Sequence, residues 1–117
     1  MRNVERVCVT SLADAPLLIA VRASLDGMPG MPAKDLARQV GVSLRTLQRR
    51  LRLLGTSYQR EVADARLRVA KKLMRDTSHS IKWIALESGC ASLQHFSTFF
   101  RDHVGVSPSQ WRTGERD

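Results

Sequence analysis

The sequence is poor in the residues on which most site chemistry depends. It has two cysteines and three histidines in 117 residues. Cys8 and Cys90 lack metal-ligand spacing, and His79, His95 and His103 form no cluster with them, so neither a metal nor a cofactor is expected. Two cysteines also fall far short of a disulfide framework, and a reducing cytoplasm suits them best. There is no Cys–His or Ser–His–Asp grouping, no paired carboxylates and no phosphate-cradling glycine loop, so an enzyme is not expected. The longest apolar run, Leu17 to Val21, is five residues, where a membrane span needs about 20. Acidic Glu5 and Asp14 interrupt the N-terminus, which offers no small-residue cleavage site and does not read as a signal peptide. Alternating strand patterns are missing as well.

Acid is scarce where base is abundant. The formal charge is +8, and all of it lies between Ser43 and Arg75, where ten basic residues face two acids, Glu61 and Asp64. The remainder has nine of each sign. A solvated helix surface normally mixes its signs, so this concentration points to a polyanionic partner.

What is present reads as helix almost throughout. A leading helix is expected from about Asp14, with Pro16 in its opening turn, to Gly27, followed by the breaker-rich DGMPGMP. Pro32 opens a short helix to about Val40, Gly41 ends it, and Ser43 caps a helix running to Gly55. Thr56 or Ser57 caps a long helix to about Arg75, expected to bury Tyr58, Val62, Ala65, Val69, Leu73 and Met74. Ser80 or a neighbour caps a helix ending at Gly89, Ser92 caps another, and Ser107-Pro108 opens a last turn or two. The fold class is therefore all-α: residues 1–31 a linker end and leading helix, 32–55 a first helix-turn-helix, 56–76 a linking helix, and 77–117 a second helix-turn-helix with a C-terminal helix.

The two units are a repeat. Leu36-Ala37, Gly41, Ser43, Leu47 and Leu51 are echoed by Ile84-Ala85, Gly89, Ser92, Phe96 and Phe100, offset by 48 residues up to the glycine and 49 from the serine onward. Each is a short helix, a glycine turn and a second helix with an apolar stripe.

At about 100° per residue, Leu44, Leu47, Leu51 and Leu54 cluster on one side of the first unit's second helix. Arg45, Thr46, Gln48, Arg49 and Arg52 lie opposite, with Arg50 on the flank. In the second unit Leu93, Phe96, Phe99, Phe100 and His103 fall on the apolar side, and Gln94, His95, Ser97, Thr98 and Arg101 face outward. An arginine fork matches the paired acceptors of guanine in the major groove, and a glutamine matches adenine. Arg45, Thr46, Gln48 and Arg49, with Gln94, His95 and Thr98, are thus the candidate base readers. Ser43, Arg50, Arg52, Ser97 and Arg101 are the candidate phosphate contacts, which fix register without reading sequence. A linking helix of about 19 residues spans about 28 Å, near the roughly 34 Å between successive major-groove faces. The other class of reading is a helical module that binds an acidic protein. That reading prefers exposed aromatics, and the aromatics here are expected on buried sides.

The run from Leu36 to Arg112 resembles the DNA-binding domain of the AraC/XylS family of bacterial transcriptional regulators. The resemblance rests on LARQVGVSLRTLQRRLRLLGTS, ARLRVAKKLM and SIKWIALESGCASLQHFSTFFRDHVGVSPSQWR, above all on the closing GVSPSQWR. It implies a seven-helix, two-lobed domain that binds double-stranded promoter DNA in the bacterial nucleoid, and it allows contact with RNA polymerase. The family's base-reading positions fall on Arg45, Gln48 and Arg49, and in the second unit on Leu93, Gln94 and Thr98. An arginine is common where Thr98 stands, and an aromatic where Cys90 stands. The first unit is therefore expected to dominate specificity, and Cys90 to fill core space as a small hydrophobe. Family members commonly carry an effector or dimerisation domain ahead of this one. Residues 1–31 are too short for it, so a fragment of a longer regulator is expected.

Overall fold

A computed structural model describes residues 2–116, with side chains described for 15–114. Seven helices and no strands occur among the described residues: α1 Arg2–Gly27, α2 Ala33–Val40, α3 Leu44–Leu53, α4 Tyr58–Asp76, α5 Ile81–Glu87, α6 Leu93–Val104 and α7 Pro108–Arg116. Cys8 lies outside the described side chains.

Four serines set the helix starts. Ser43, Ser57, Ser80 and Ser92 each sit in extended backbone and accept a hydrogen bond from the amide three residues on, which satisfies one of the donors a helix start leaves open. Between α2 and α3, Gly41 stands at φ +82°, and between α5 and α6, Gly89 stands at φ +90°. Only glycine takes that left-handed backbone without a Cβ penalty, which is why both turns carry it.

The apolar faces close over two separate cores. One lobe gathers Val21, Leu25, Met31, Leu36, Ala37, Leu47, Leu51, Val62 and Ala65. The other gathers Ala70, Met74, Ile84, Ala85, Cys90, Phe96 and Phe100. α4 belongs to both. From Ala65 to Ala70 the helix turns about 140° beyond one full revolution, so its two halves present different sides to the two lobes.

Several expectations need correction. α1 reaches back to Arg2, with Pro16 inside it; proline's fixed φ is helical, but its ring removes one backbone bond and crowds the carbonyl four residues earlier. α3 stops at Leu53 and α5 at Glu87, because Gly55 and Gly89, both at positive φ, lie beyond the last helical residues. α7 is nine residues rather than a turn or two. Leu93 is 40% exposed, because the first turn of α6 projects past its core. His103 is exposed as well, its ring against Phe99 at 4.5 Å and its Nδ1 2.9 Å from the Phe99 carbonyl oxygen. Leu44, Tyr58 and Leu73 are half-buried at core margins and Leu54 and Val69 are half-buried, while Val62, Ala65 and Met74 are buried. Cys90 is buried among the second core, and burial pushes its thiol above its ordinary value against the opposing charge of Arg66 and a hydrogen bond with Ser88.

Glu61 was not expected inside. It is 1% exposed, accepting from Arg22 Nε at 2.9 Å and from the Thr56 hydroxyl at 2.6 Å. Burial pushes this carboxyl up, but the hydrogen bonds from Arg22 and Thr56, with the charges of Arg22 and Arg68, outweigh it and hold it below its ordinary value. The pair fastens α1 to α4 across the first lobe.

Candidate nucleic-acid interface

The buried leucines of α3 decide what it shows to solvent. With Leu47 and Leu51 fully buried, Arg45, Gln48, Arg49 and Arg52 are exposed, and Thr46 and Arg50 are half-buried at the sides. Among the described residues, none of the α3 arginines has a carboxylate partner, because the ion pairs there are Arg22–Glu61 and Arg68–Asp26. Four guanidiniums on one short helix with no internal acid form a surface whose charge must be met from outside. Ser43 caps α3 and also donates its hydroxyl to Thr46 Oγ1 at 2.9 Å, so these two short side chains hold each other at the helix start.

α6 repeats the arrangement with weaker chemistry. Phe96 and Phe100 are buried, and Gln94, His95, Thr98 and Arg101 are exposed, with Ser97 half-buried. This face has one arginine where α3 has four, and the apolar Leu93 stands exposed beside the candidate readers.

The linking helix divides its cations. Arg68 donates twice to Asp26, at 2.8 and 3.0 Å, and Lys71 lies 5.6 Å from the Trp111 ring centre. Arg60, Lys72 and Arg75 remain exposed. Beside α3, a shallow cleft of about 310 Å³ is lined by Gln48, Arg52, Thr56, Ser57, Tyr58 and Gln59. Sequence reasoning missed Gln59 and the Thr56-Ser57 cap as neighbours of the arginine face. The short Leu54 to Ser57 link after a face-bearing helix was the available signal. It also missed Trp83, which is 37% exposed and stacked on His79 at 3.9 Å, although the aromatics were expected on buried sides.

Two capped helices with equivalent outward faces, each behind a glycine turn, make a paired helix-turn-helix. A family model described as a helix-turn-helix domain matches residues 36–114. A solved transcriptional regulator with an AraC-type DNA-binding domain from Chromobacterium violaceum superposes with TM-score 0.77 at 31% identity, covering 87% of this chain and 94% of that one. The chain belongs to the AraC/XylS family. The transcriptional activator RhaS of Salmonella arizonae is 40% identical over 80 residues, which are 68% of this chain and 29% of RhaS. The DNA-binding domain of AdpA, solved in complex with a target DNA, superposes with TM-score 0.71 at 25% identity over 87% of this chain and 91% of that one. This AraC/XylS chain is thus a DNA-binding domain of the transcription-regulator type, not an enzyme, and it spans under a third of the curated relatives it matches.

Proposed function

We propose that this AraC/XylS domain reads a long, asymmetric double-stranded promoter site by laying α3 and α6 in adjacent major grooves. The observation that carries this is the pair of serine-capped helices with equivalent exposed faces, joined by a linking helix of 19 residues, about 28 Å long. Arg45, Gln48 and Arg49, flanked by Thr46, read base edges in the first groove. Gln94, His95 and Thr98, beside exposed Leu93, do so more weakly in the second. Ser43, Arg50, Arg52, Ser97 and Arg101 hold phosphates. His95 on this face acts as a contact to DNA, not as a catalyst.

In the full regulator this domain follows an effector or dimerisation domain, works in the bacterial cytoplasm at the nucleoid and activates transcription, as the RhaS likeness favours. A second reading, contact with RNA polymerase, is favoured by Trp83 and Leu86, 37% and 52% exposed on α5, and is compatible with DNA binding.

Selection of the protein from random double-stranded DNA, followed by titrations at several salt concentrations, tests the proposal. One asymmetric motif with two blocks about one helical turn apart is expected. Steeply salt-dependent binding with no motif would reduce the interaction to a grip on phosphate.

A further inference from the structure

The two lobes have separate cores, and α4 runs through both. They also meet at a second place, off the axis of α4. The Met28–Met31 loop, in the first lobe, lies against the α5–α6 turn of the second at Gly30 and Gly89. A Cβ built on Gly89 would lie 3.0 Å from the Gly30 nitrogen and 3.4 Å from its Cα, whereas one built on Gly30 would meet Gly89 only at 3.7 Å, so backbone meets backbone and a side chain at Gly89 would push the Gly30 loop back by a few tenths of an ångström. Arg66 crosses the same junction, its Nε 3.5 Å from the Gly89 Cβ position. This Nε is buried without a hydrogen-bond partner among the described residues, so it adds bulk there and no polar bond.

The loop is itself held rigidly. Met31 donates its amide to the Met28 carbonyl at 3.0 Å, and Met28 donates to Ser24 at 3.1 Å. The Tyr58 hydroxyl donates to the Met31 carbonyl, and the Met31 side chain is buried in the first core. A stiff pad on one lobe therefore presses on a stiff turn of the other. One long helix alone fixes separation but leaves bend and twist soft. A second contact off its axis removes that freedom.

We propose that Gly30 and Gly89 are specificity-determining residues: their contact sets the angle between the two helix-turn-helix units, and so the base-pair spacing between the blocks the protein accepts. The inference rests on the two-groove reading above. Each base pair shifts the second block by about 3.4 Å and about 35° around the DNA, so a junction that yields little discriminates single-base-pair changes.

The repeat supplies the control. Gly41 is the counterpart of Gly89 in the first unit, with φ +82° against +90°, yet nothing lies within 4 Å of a Cβ built there. Asparagine tolerates left-handed backbone better than other residues with a Cβ. Gly41→Asn and Gly89→Asn thus share the backbone penalty, and only the second pushes the lobes apart. The experiment measures binding to duplexes carrying the selected blocks at the preferred spacing and at one base pair more or less.

Wild type and Gly41→Asn are expected to lose about tenfold or more in affinity on either side of the optimum, equivalent to about 1.4 kcal/mol. Gly89→Asn is expected to move the optimum or flatten it to within about threefold, with binding to the first block alone unchanged. A Gly89→Asn protein that keeps the wild-type profile overturns this inference alone. A wild-type protein indifferent to spacing sinks the two-groove reading and this inference with it. If Gly89→Asn does not fold, Tyr58→Phe decides, since it frees the Met31 carbonyl without touching either turn. A broadened profile supports the inference, and an unchanged one refutes it.

Discussion

Removing Arg22 should destabilise the domain and alter how its stability depends on pH. The guanidinium Nε is 2.9 Å from a carboxylate oxygen of Glu61, and the two side chains are 49% and 1% exposed respectively. Deleting one partner of a fully buried ion pair costs about 3–5 kcal/mol, because a charge is left stranded. Here the arginine is half in water, which weakens its attraction, and the Thr56 hydroxyl still donates to the carboxylate at 2.6 Å. Arg22→Ala should therefore cost about 2–3 kcal/mol at pH 7. Wild-type Glu61 titrates below its ordinary value, so its contribution is complete above the unfolded carboxyl range near about 4.3 and is lost as pH falls through the folded value. In Arg22→Ala, burial is opposed only by Thr56 and more distant charge, and the carboxyl moves upward. Protonation then relieves the stranded charge earlier than in wild type. Urea unfolding followed by helical circular dichroism at pH 7, 5, 4 and 3 should show the gap between the two proteins shrinking to below about 1 kcal/mol at the acid end. A gap that stays constant with pH, or one under about 0.5 kcal/mol at pH 7, would refute the assignment of Glu61 as a buried, paired carboxylate.

Three further outcomes are expected. Arg49→Ala should weaken binding to the selected site by about 1–3 kcal/mol and Thr98→Ala by less; a titration giving the reverse order would overturn the dominance of α3. Arg112 donates to the carbonyls of Met74, Thr77 and His79 at 3.2, 2.6 and 2.7 Å. Its replacement by Ala should therefore destabilise the second lobe by about 2–4 kcal/mol and erase the second block of the selected motif while sparing the first. Ser92→Ala, which removes the cap bond to the His95 amide, should cost about 1 kcal/mol in urea unfolding, and the loss should shrink if asparagine is placed there instead.

Much of this arrangement is written in local chemistry. Serine caps and positive-φ glycines act within four residues of themselves, so the starts of α3, α4, α5 and α6 are legible from neighbours in the chain. The outward faces follow from Leu47 and Leu51, and from Phe96 and Phe100, by helical periodicity. What was illegible depends on partners far along the chain. Glu61 reads as one of two acids in a basic run, and only the approach of Arg22, 39 residues earlier, makes it a core residue. The outward turn of Leu93 depends on where the second core ends, which no periodicity reports. The DGMPGMP segment reads as a joint because proline and glycine break helices. That it packs on the second lobe's turn is a property of the assembled fold.

The unequal faces and the stiff junction account for each other. α6 offers a single arginine, and on its own such a face binds weakly. Held at a fixed angle behind α3, it meets its block as an intramolecular event, with high effective concentration and little further ordering to oppose it. That benefit disappears when the geometry does not match the spacing, so a weak second face on a rigid link contributes discrimination more than affinity. A strong second face would reverse this, because each lobe could then hold a site alone and spacing would matter less. Thr98→Arg should therefore raise affinity for sites of the wrong spacing proportionally more than for the right one. The comparison is one titration series across three spacings, and an equal gain at all three would show that the two lobes bind independently.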